Sequence, residues 1–111
     1  MTEKIKLLRL YADESAYFGD RKVFDVIIAR AQQQGLAGAT ALLALSGFGK
    51  SARLRSRHML DENRSVVVEI IDAEPGLRRF VEILDDLPDV GLITLESVEV
   101  LRGGSIGSSH A

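Results

Sequence analysis

The spacing of apolar residues changes along this chain in an order that restricts the folds it can adopt. Residues 3–11 and 66–71 are predicted strands, because their apolar side chains alternate or form a β-branched run. Residues 20–34 carry apolar side chains three and four positions apart, which is the spacing of an amphipathic helix. A second helix opens at Pro75, and a strand over 93–101 completes the pattern.

Local residues predict where these elements begin and end. Asp20 is the predicted N-cap of the first helix, and Gly35 is its predicted C-terminal stop. Residues 39–46 are short, apolar and flanked by glycines, which predicts a buried strand. The second helix is expected to end before Pro88, and residues 90–92 to turn the chain into the last strand.

The order of elements is strand, helix, strand, followed by the same three elements again. This order predicts an α+β, ferredoxin-like βαββαβ fold, with a four-stranded antiparallel sheet and two helices on one face. Two short helices cover one face of such a sheet and no more. Because the strands carry apolar side chains on both faces, we expect a homo-oligomer in which the open sheet faces pack together.

Length and composition predict a single domain. The chain has 111 residues, of which 46% are apolar and 27% charged, enough for one core and too few for two. We assign residues 1–102 to the domain and interpret 103–111, rich in glycine and serine, as a flexible tail. The chain has no cysteine, which excludes disulfides and thiolate zinc sites. Residues 1–10 lack the apolar run of a signal peptide or membrane span, so a soluble cytoplasmic protein is expected.

A short segment concentrates positive charge. Four basic residues occur within eight positions that contain no acid: Lys50, Arg53, Arg55 and Arg57. The formal net charge of the whole chain is -2, so the remainder is acidic. A nucleic-acid site needs a broad positive surface, whereas one basic segment suits a small anion or an acidic protein. The alternative is a solvated loop whose arginines serve solubility.

Two glycine clusters flank the second strand, one at Gly35 and Gly38 and the other at Gly47 and Gly49. Glycine lets backbone amides approach a bound anion closely, and the basic segment follows directly. The pattern therefore predicts an anion site at the end of this strand. The alternative is that these glycines mark only turns.

Residues 35–51, which read GLAGATALLALSGFGKS, resemble the approach to the T-loop of PII signal-transduction proteins. In that family a Gly-x-x-Gly-x-Thr segment enters the second strand and a Gly-Phe-Gly segment leaves it, as residues 35–40 and 47–49 do here. More closely still, LRLYADES, ARAQQQGLAGAT and SGFG resemble an uncharacterised PII-like family catalogued as domain of unknown function 190. The resemblance covers nearly the whole chain.

The resemblance implies a homotrimer with inward-facing sheets and a phosphorylated effector in the clefts between subunits, namely an adenine nucleotide such as AMP, ADP, ATP or a cyclic nucleotide. Thr40 would lie near the base and Lys50 near the phosphates, while a neighbouring subunit would contribute Arg102. Ser51 stands where the family has a glutamine that binds metal and 2-oxoglutarate. The implied ligand-binding residues are Thr40, Gly47, Phe48, Gly49, Lys50, Ser51, Arg53, Gly91 and Arg102.

Residues 50–64 resemble the T-loop, which we expect to order on ligand binding and to present a changed surface to a protein partner, such as a membrane transporter. The chain departs from PII proteins in two places. Residues 88–92 (PDVGL) lack the family's lysine and keep only Gly91, and no tyrosine occurs in residues 50–64. Nitrogen sensing by uridylylation is therefore not expected.

Other function classes remain as alternatives. A divalent-metal-binding trimer of the ion-tolerance type shares this architecture but needs imidazole ligands, and the chain offers His58 and His110. An acylphosphatase-like enzyme needs an asparagine beside an arginine cradle, and Asn63 is the only asparagine. Because no nucleophile and base stand at a matching spacing, we expect no enzyme. A purely structural or interaction trimer is the last alternative.

Overall fold

The structure is a computed structural model that describes residues 4–47 and 64–104. Its helices and strands follow the predicted order, with a short hairpin inserted before the first helix. They are β1 (Ile5–Asp13), β2 (Tyr17–Phe18), β3 (Arg21–Lys22), α1 (Val23–Gln33), β4 (Thr40–Leu43), β5 (Ser65–Ala73), α2 (Glu74–Glu82) and β6 (Val90–Ser97). Nearly all of the T-loop-like segment and most of the predicted tail lie outside the described residues.

Four of the strands form one antiparallel sheet in the order β4, β5, β1, β6. β1 is central, with Leu8 opposite Ile70 of β5 and Leu95 of β6. β4 lies on the outer side of β5, where Leu42 is opposite Val67. This strand order, with two helices and antiparallel pairing throughout, confirms the predicted α+β ferredoxin-like fold.

The core lies between the helices and one face of the sheet. Alternate residues of the central strands are buried there, because successive side chains of a strand point to opposite faces. The cluster includes Leu8, Leu10, Val68 and Ile70 of the sheet, Val23 and Ile27 of α1, and Leu77 and Phe80 of α2. Burial of each such side chain contributes about 1.5–3 kcal/mol. In the described part of the chain, both helices therefore cover the same face, and the opposite face stays open.

The predicted N-cap of the first helix is wrong. α1 begins at Val23 with Lys22, not Asp20, in the N-cap position. Residues 17–22 instead form the hairpin of β2 and β3. The Val23 N–H donates to the Ala16 carbonyl at 2.9 Å, so backbone preceding the hairpin satisfies the first helical amide. A backbone contact thus replaces the expected side-chain cap.

α1 ends in a Schellman motif, which confirms the predicted stop at Gly35. Gly35 has a φ of 75°, a conformation that L side chains rarely adopt. Its N–H donates to the Gln32 carbonyl at 3.1 Å, and the Leu36 N–H donates to the Ala31 carbonyl at 3.1 Å. Leu36 then packs against the core. The motif therefore sets the direction in which the chain leaves the helix toward β4.

β4 is shorter and more exposed than its sequence predicts. It covers Thr40–Leu43 instead of 39–46, and all four residues are exposed in the single chain. The cause is its place at the edge of the sheet, since in the described residues it pairs only with β5. The prediction of a buried strand is therefore wrong for one isolated copy.

The second half differs from prediction at its boundaries. α2 covers only Glu74–Glu82 instead of continuing toward Pro88. The turn predicted at 90–92 is wrong, because the chain reverses at Asp89, which has a φ of 58°. β6 therefore starts three residues before the predicted strand, covers Val90–Ser97 and ends short of its predicted limit. Residues 98–101, which the prediction included in the strand, lie beyond its end, although the Val98 N–H still donates to the Ile5 carbonyl of β1 at 3.4 Å.

An ion pair at the surface connects α1 with the turn that follows α2. The Arg30 guanidinium of α1 donates to both carboxylate oxygens of Asp86, at 2.7 and 2.9 Å, and to the Ile83 carbonyl at 2.9 Å. The hydrogen bond from Arg30 lowers the pKa of Asp86 below its ordinary value. The carboxylate and guanidinium thus hold the turn after α2 against α1.

The Gly35→Ala substitution is expected to lower the free energy of unfolding by about 1 kcal/mol, because alanine is strained at a positive φ. Urea unfolding at a fixed protein concentration measures this change. Gly38→Ala is the matched control, since Gly38 has open space where a Cβ would lie and no positive φ is found there. The control should leave stability unchanged or slightly raised. Equal losses in both variants would contradict the Schellman assignment.

Removal of the Arg30 guanidinium should change stability in acid. The pKa of Asp86 is lowered in the folded state, so the ion pair stabilises the protein fully at pH values above the ordinary carboxyl pKa. This stabilisation is lost as the pH falls through the pKa that Asp86 has in the folded protein. In Arg30→Met the pKa of Asp86 should rise toward its ordinary value, so the loss of stability on acidification becomes shallower. NMR titration of the Asp86 carboxyl and urea unfolding between pH 6 and 3 would measure both effects.

The control for this experiment is Arg78→Met. Arg78 donates to Glu74 at 2.7 Å within α2, so its removal should leave the titration of Asp86 unchanged. An identical Asp86 titration in wild type and Arg30→Met would show that the ion pair does not form in solution.

Candidate functional site

Thr40, the residue implied near a nucleotide base, lies at the first position of β4 and is exposed. The segment that leads to it is held by a buried carboxylate. The Ala37 N–H donates to Asp72 Oδ2 at 2.9 Å, and the Ala73 N–H donates to Asp72 Oδ1 at 2.7 Å. Asp72 is only 1% exposed, so its two oxygens connect the approach to β4 with the junction between β5 and α2. The position of Thr40 therefore depends on Asp72, a residue that the sequence alone did not single out.

The other end of β4 leads to the basic segment through Gly47. Gly47 is exposed and has a φ of 147°, a backbone conformation that favours glycine. The Ala44 N–H donates to the Ser65 carbonyl at 2.9 Å, and the Glu14 N–H donates to the Arg64 carbonyl at 2.9 Å. The chain therefore leaves the sheet after β4 and returns to it at β5 on the same end.

Five of the implied ligand-binding residues lie outside the described part of the chain, and their roles stay predictions. They are Phe48, Gly49, Lys50, Ser51 and Arg53. The structure does place the two points at which their segment joins the sheet.

Gly91 and Arg102 lie on the other edge of the sheet. Gly91 belongs to β6 and is not in a loop, and a Cβ placed there would be 3.5 Å from the Tyr11 carbonyl oxygen. The register of β6 against β1 shifts at this point, between Leu10 and Ala12. Arg102 follows the far end of β6 and is exposed. The sequence prediction therefore names residues from two opposite edges of one sheet.

The two edges are too far apart for one copy to bring these residues together. β5 and β1 separate β4 from β6, and neighbouring strands lie about 4.8 Å apart, which places the edges about 14 Å from one another. Thr40 and Gly47 share one edge, whereas Gly91 and Arg102 share the other. In a single chain the implied residues that the structure describes thus fall into two groups at opposite edges of the sheet.

The open face of the sheet, on the side away from the helices, carries charged side chains among apolar ones. By alternation, this face presents Leu7, Arg9 and Tyr11 of β1, Val67, Glu69 and Ile71 of β5, Thr40 and Leu42 of β4, and Leu92, Thr94 and Glu96 of β6. Most of these residues are apolar, as predicted. The charged ones lie near the centre and were not foreseen, although Arg9 does interrupt the apolar run LLRLY.

Arg9 binds two carboxylates across both neighbouring strands. Its Nε donates to Glu69 Oε2 of β5 at 2.9 Å, and its Nη1 donates to Glu96 Oε1 of β6 at 2.7 Å. The hydrogen bond to Glu69, with the nearby charges of both glutamates, raises the pKa of Arg9. We call these three residues the Arg9 cluster. It joins three strands of the sheet on the face away from the helices.

Residues 4–47 and 64–104 contain no group of three or more acidic, histidine or cysteine side chains that could hold a metal ion. His58 and His110, the imidazoles of the metal-binding alternative, lie outside those ranges. Asn63, on which the acylphosphatase alternative depends, lies outside them as well. Within the same ranges, neither helix has the length and apolar character needed to cross a bilayer.

Relatives of known sequence support the family resemblance. The family model DUF190, described as "Uncharacterized ACR, COG1993", matches residues 5–100. A UPF0166 protein of Aquifex aeolicus (strain VF5) is 43% identical over 101 residues, which cover 88% of this chain and 94% of the relative. A UPF0166 protein of Methanocaldococcus jannaschii is 24% identical over 102 residues, which cover 90% of this chain and 94% of the relative.

A solved structure shares the fold. The crystal structure of a candidate PII-like signaling protein from Thermus thermophilus has a TM-score of 0.61 and 19% sequence identity, and the match covers 91% of this chain and 93% of that one. At this identity the likeness concerns the fold alone. Since the family model spans residues 5–100 and the Aquifex relative matches along nearly its whole length, the chain belongs to the DUF190 family and has a PII-like fold.

Proposed function

We propose that the protein is a non-catalytic, PII-like regulatory module. Three copies assemble through the open faces of their sheets, and an adenine nucleotide or a similar phosphorylated effector binds between neighbouring copies. The basic segment 50–64 reports the bound ligand to a protein partner. The family and the PII-like fold support a regulatory role in general, whereas the trimer, the ligand and the partner are the specific parts of the proposal.

The observation that carries the proposal is the division of the implied ligand-binding residues between two edges of the sheet. Thr40 and Gly47 lie at the β4 edge, and Arg102 follows the β6 edge. A head-to-tail arrangement of copies places the β4 edge of one beside the β6 edge of the next. Two half-sites that are separated in one chain would then form one complete cleft at each interface.

The chemistry of the β4 edge suits a phosphate group. Gly47 allows backbone amides to approach an anion, and Lys50 and Arg53 follow within six residues. Each charge-assisted hydrogen bond to a phosphate contributes about 1.5–3 kcal/mol. The remainder of the chain is acidic, so binding of the anion is concentrated at this segment.

A change in the arrangement of residues 50–64 would report the bound ligand to the protein partner. Its two ends are held to the sheet by the Ala44–Ser65 and Glu14–Arg64 backbone hydrogen bonds, so a ligand there acts next to a rigid frame. A ligand that binds one arrangement of residues 50–64 more tightly shifts the population toward it. The surface offered to a protein partner then changes, and a membrane transporter is the class of partner to test first.

Isothermal titration calorimetry with AMP, ADP, ATP and cyclic nucleotides tests the ligand. We expect binding of at least one of them by the wild type, and about a tenfold or greater loss of affinity in Lys50→Ala, since a charge-assisted contact is removed. Arg21→Ala, which removes a basic residue from the β2–β3 hairpin, is the matched control and should bind normally. Absence of binding to every nucleotide at millimolar concentration would overturn the nucleotide proposal.

The position of the site between copies is tested by mixing variants. Lys50→Ala and Arg102→Ala should each bind poorly alone, because each lacks one half of every site. After unfolding and joint refolding, mixed assemblies contain some interfaces with an intact Lys50 on one side and an intact Arg102 on the other. Partial recovery of binding is expected. No recovery, with mixed assembly confirmed by mass spectrometry, would show that both residues act within one copy.

A further inference from the structure

The open face of the sheet carries a polar row with apolar side chains on both sides of it. The strand register places Thr40, Glu69, Arg9 and Thr94 side by side across all four strands. On one side of this row lie Leu42, Val67 and Tyr11. On the other side lie Leu7 and Ile71, with Glu96 of β6 opposite Leu7. A face of this kind is largely apolar but has charged groups at its centre.

The charged groups at the centre are only partly buried in one copy. The side chains of Arg9, Glu69 and Glu96 are 34%, 29% and 52% exposed. Ion pairs in contact with water contribute at most about 1 kcal/mol. When such a cluster is covered, the mutual attraction grows, and so does the cost of leaving either carboxylate unpaired.

The apolar rows indicate that the face is covered. Leu42, Ile71 and Leu92 are 48%, 36% and 63% exposed in the single chain, and several large apolar side chains exposed on one face mark an interaction site. The charge pattern indicates what covers it. The Arg9 cluster presents both signs of charge on this face, so a symmetry-related copy offers matching donors and acceptors, whereas a partner of one charge sign leaves either Arg9 or a glutamate unmatched.

We infer that the Arg9 cluster is the specificity determinant of self-association through the open sheet face. A second copy of this chain covers the face, and Arg9 keeps Glu69 and Glu96 paired within the interface. This inference rests on the assembly contained in the proposed function and adds to it the residues that select the partner and its alignment.

The cluster gives the association a defined register. Apolar rows alone tolerate sliding, because one aliphatic side chain packs against another at several offsets. A buried guanidinium and its carboxylates are stable only where their hydrogen bonds are completed, so misaligned arrangements are disfavoured. Arg9 therefore selects one assembly, and its removal weakens that assembly because Glu69 and Glu96 are then covered without their cation.

The test compares two arginines that make similar ion pairs on opposite sides of the molecule. Arg9→Met keeps the apolar stem but leaves Glu69 and Glu96 without their cation on the open face. Arg30→Met likewise keeps the apolar stem but leaves Asp86 without its cation, on the helical side of the molecule. Sedimentation velocity over a range of protein concentrations measures association, and circular dichroism checks folding. We expect Arg9→Met to raise the dissociation constant about a hundredfold or more, and Arg30→Met to match the wild type.

A triple variant tests directly whether the Arg9 cluster sets the register. It also tests the inference if Arg9→Met does not fold. In Arg9→Met/Glu69→Leu/Glu96→Leu the whole face is apolar, so copies should associate again, but into assemblies of several sizes. A triple variant that forms one discrete assembly identical in size to the wild type would overturn the inference.

Two results separate this inference from the proposed function. If wild type associates and Arg9→Met associates equally tightly, the Arg9 cluster has no role in selection, while the proposed assembly stands. If wild type is monomeric at all concentrations, the proposed assembly fails and the inference fails with it.

Discussion

Two short helices can cover only one face of a four-stranded sheet, and the rest of the structure follows from this limit. Burial of Leu8, Leu10 and their neighbours beneath α1 and α2 provides the core of the fold. The same strands place another set of side chains on the opposite face, because successive residues point in opposite directions. The sequence that stabilises one copy therefore also builds a surface that one copy cannot cover.

The polar groups of that surface connect the fold to its proposed function. Thr40 belongs both to the polar row on the open face and to the β4 edge, where the proposed ligand half-site lies. The proposed association through the face and the proposed completion of the ligand site between edges thus use the same strand. A change in how copies meet would alter the surroundings of Thr40, and a bound ligand would stabilise the assembled state by mass action.

The order of elements, the fold class and the glycine stop of α1 could be predicted, because periodicity and Gly35 are local signals. The N-cap at Asp20, the turn at 90–92 and the burial of β4 were predicted wrongly. The turn lies instead at Asp89, and the exposure of β4 follows from its place at the edge of the sheet. The pairing of residues 17–22 as a hairpin displaced the cap. The two-edge division of the ligand-binding residues and the Arg9 cluster depend on strand order and register. These pair residues that are distant in the sequence, such as Thr40 with Glu69 and Arg9 with Glu69, and leave little trace in the local sequence.

The register of β4 limits how this region can evolve. Asp72 holds the backbone at Ala37, and Ser65 holds it at Ala44, so the number of residues between these two fixed points determines which way each β4 side chain faces. Insertion or deletion of one residue there would turn Thr40 and Leu42 toward the helices. Residues 48–63 lie beyond both points. Relatives can therefore vary the length of that segment without moving the strand, whereas the seven-residue step from Ala37 to Ala44 must keep its length.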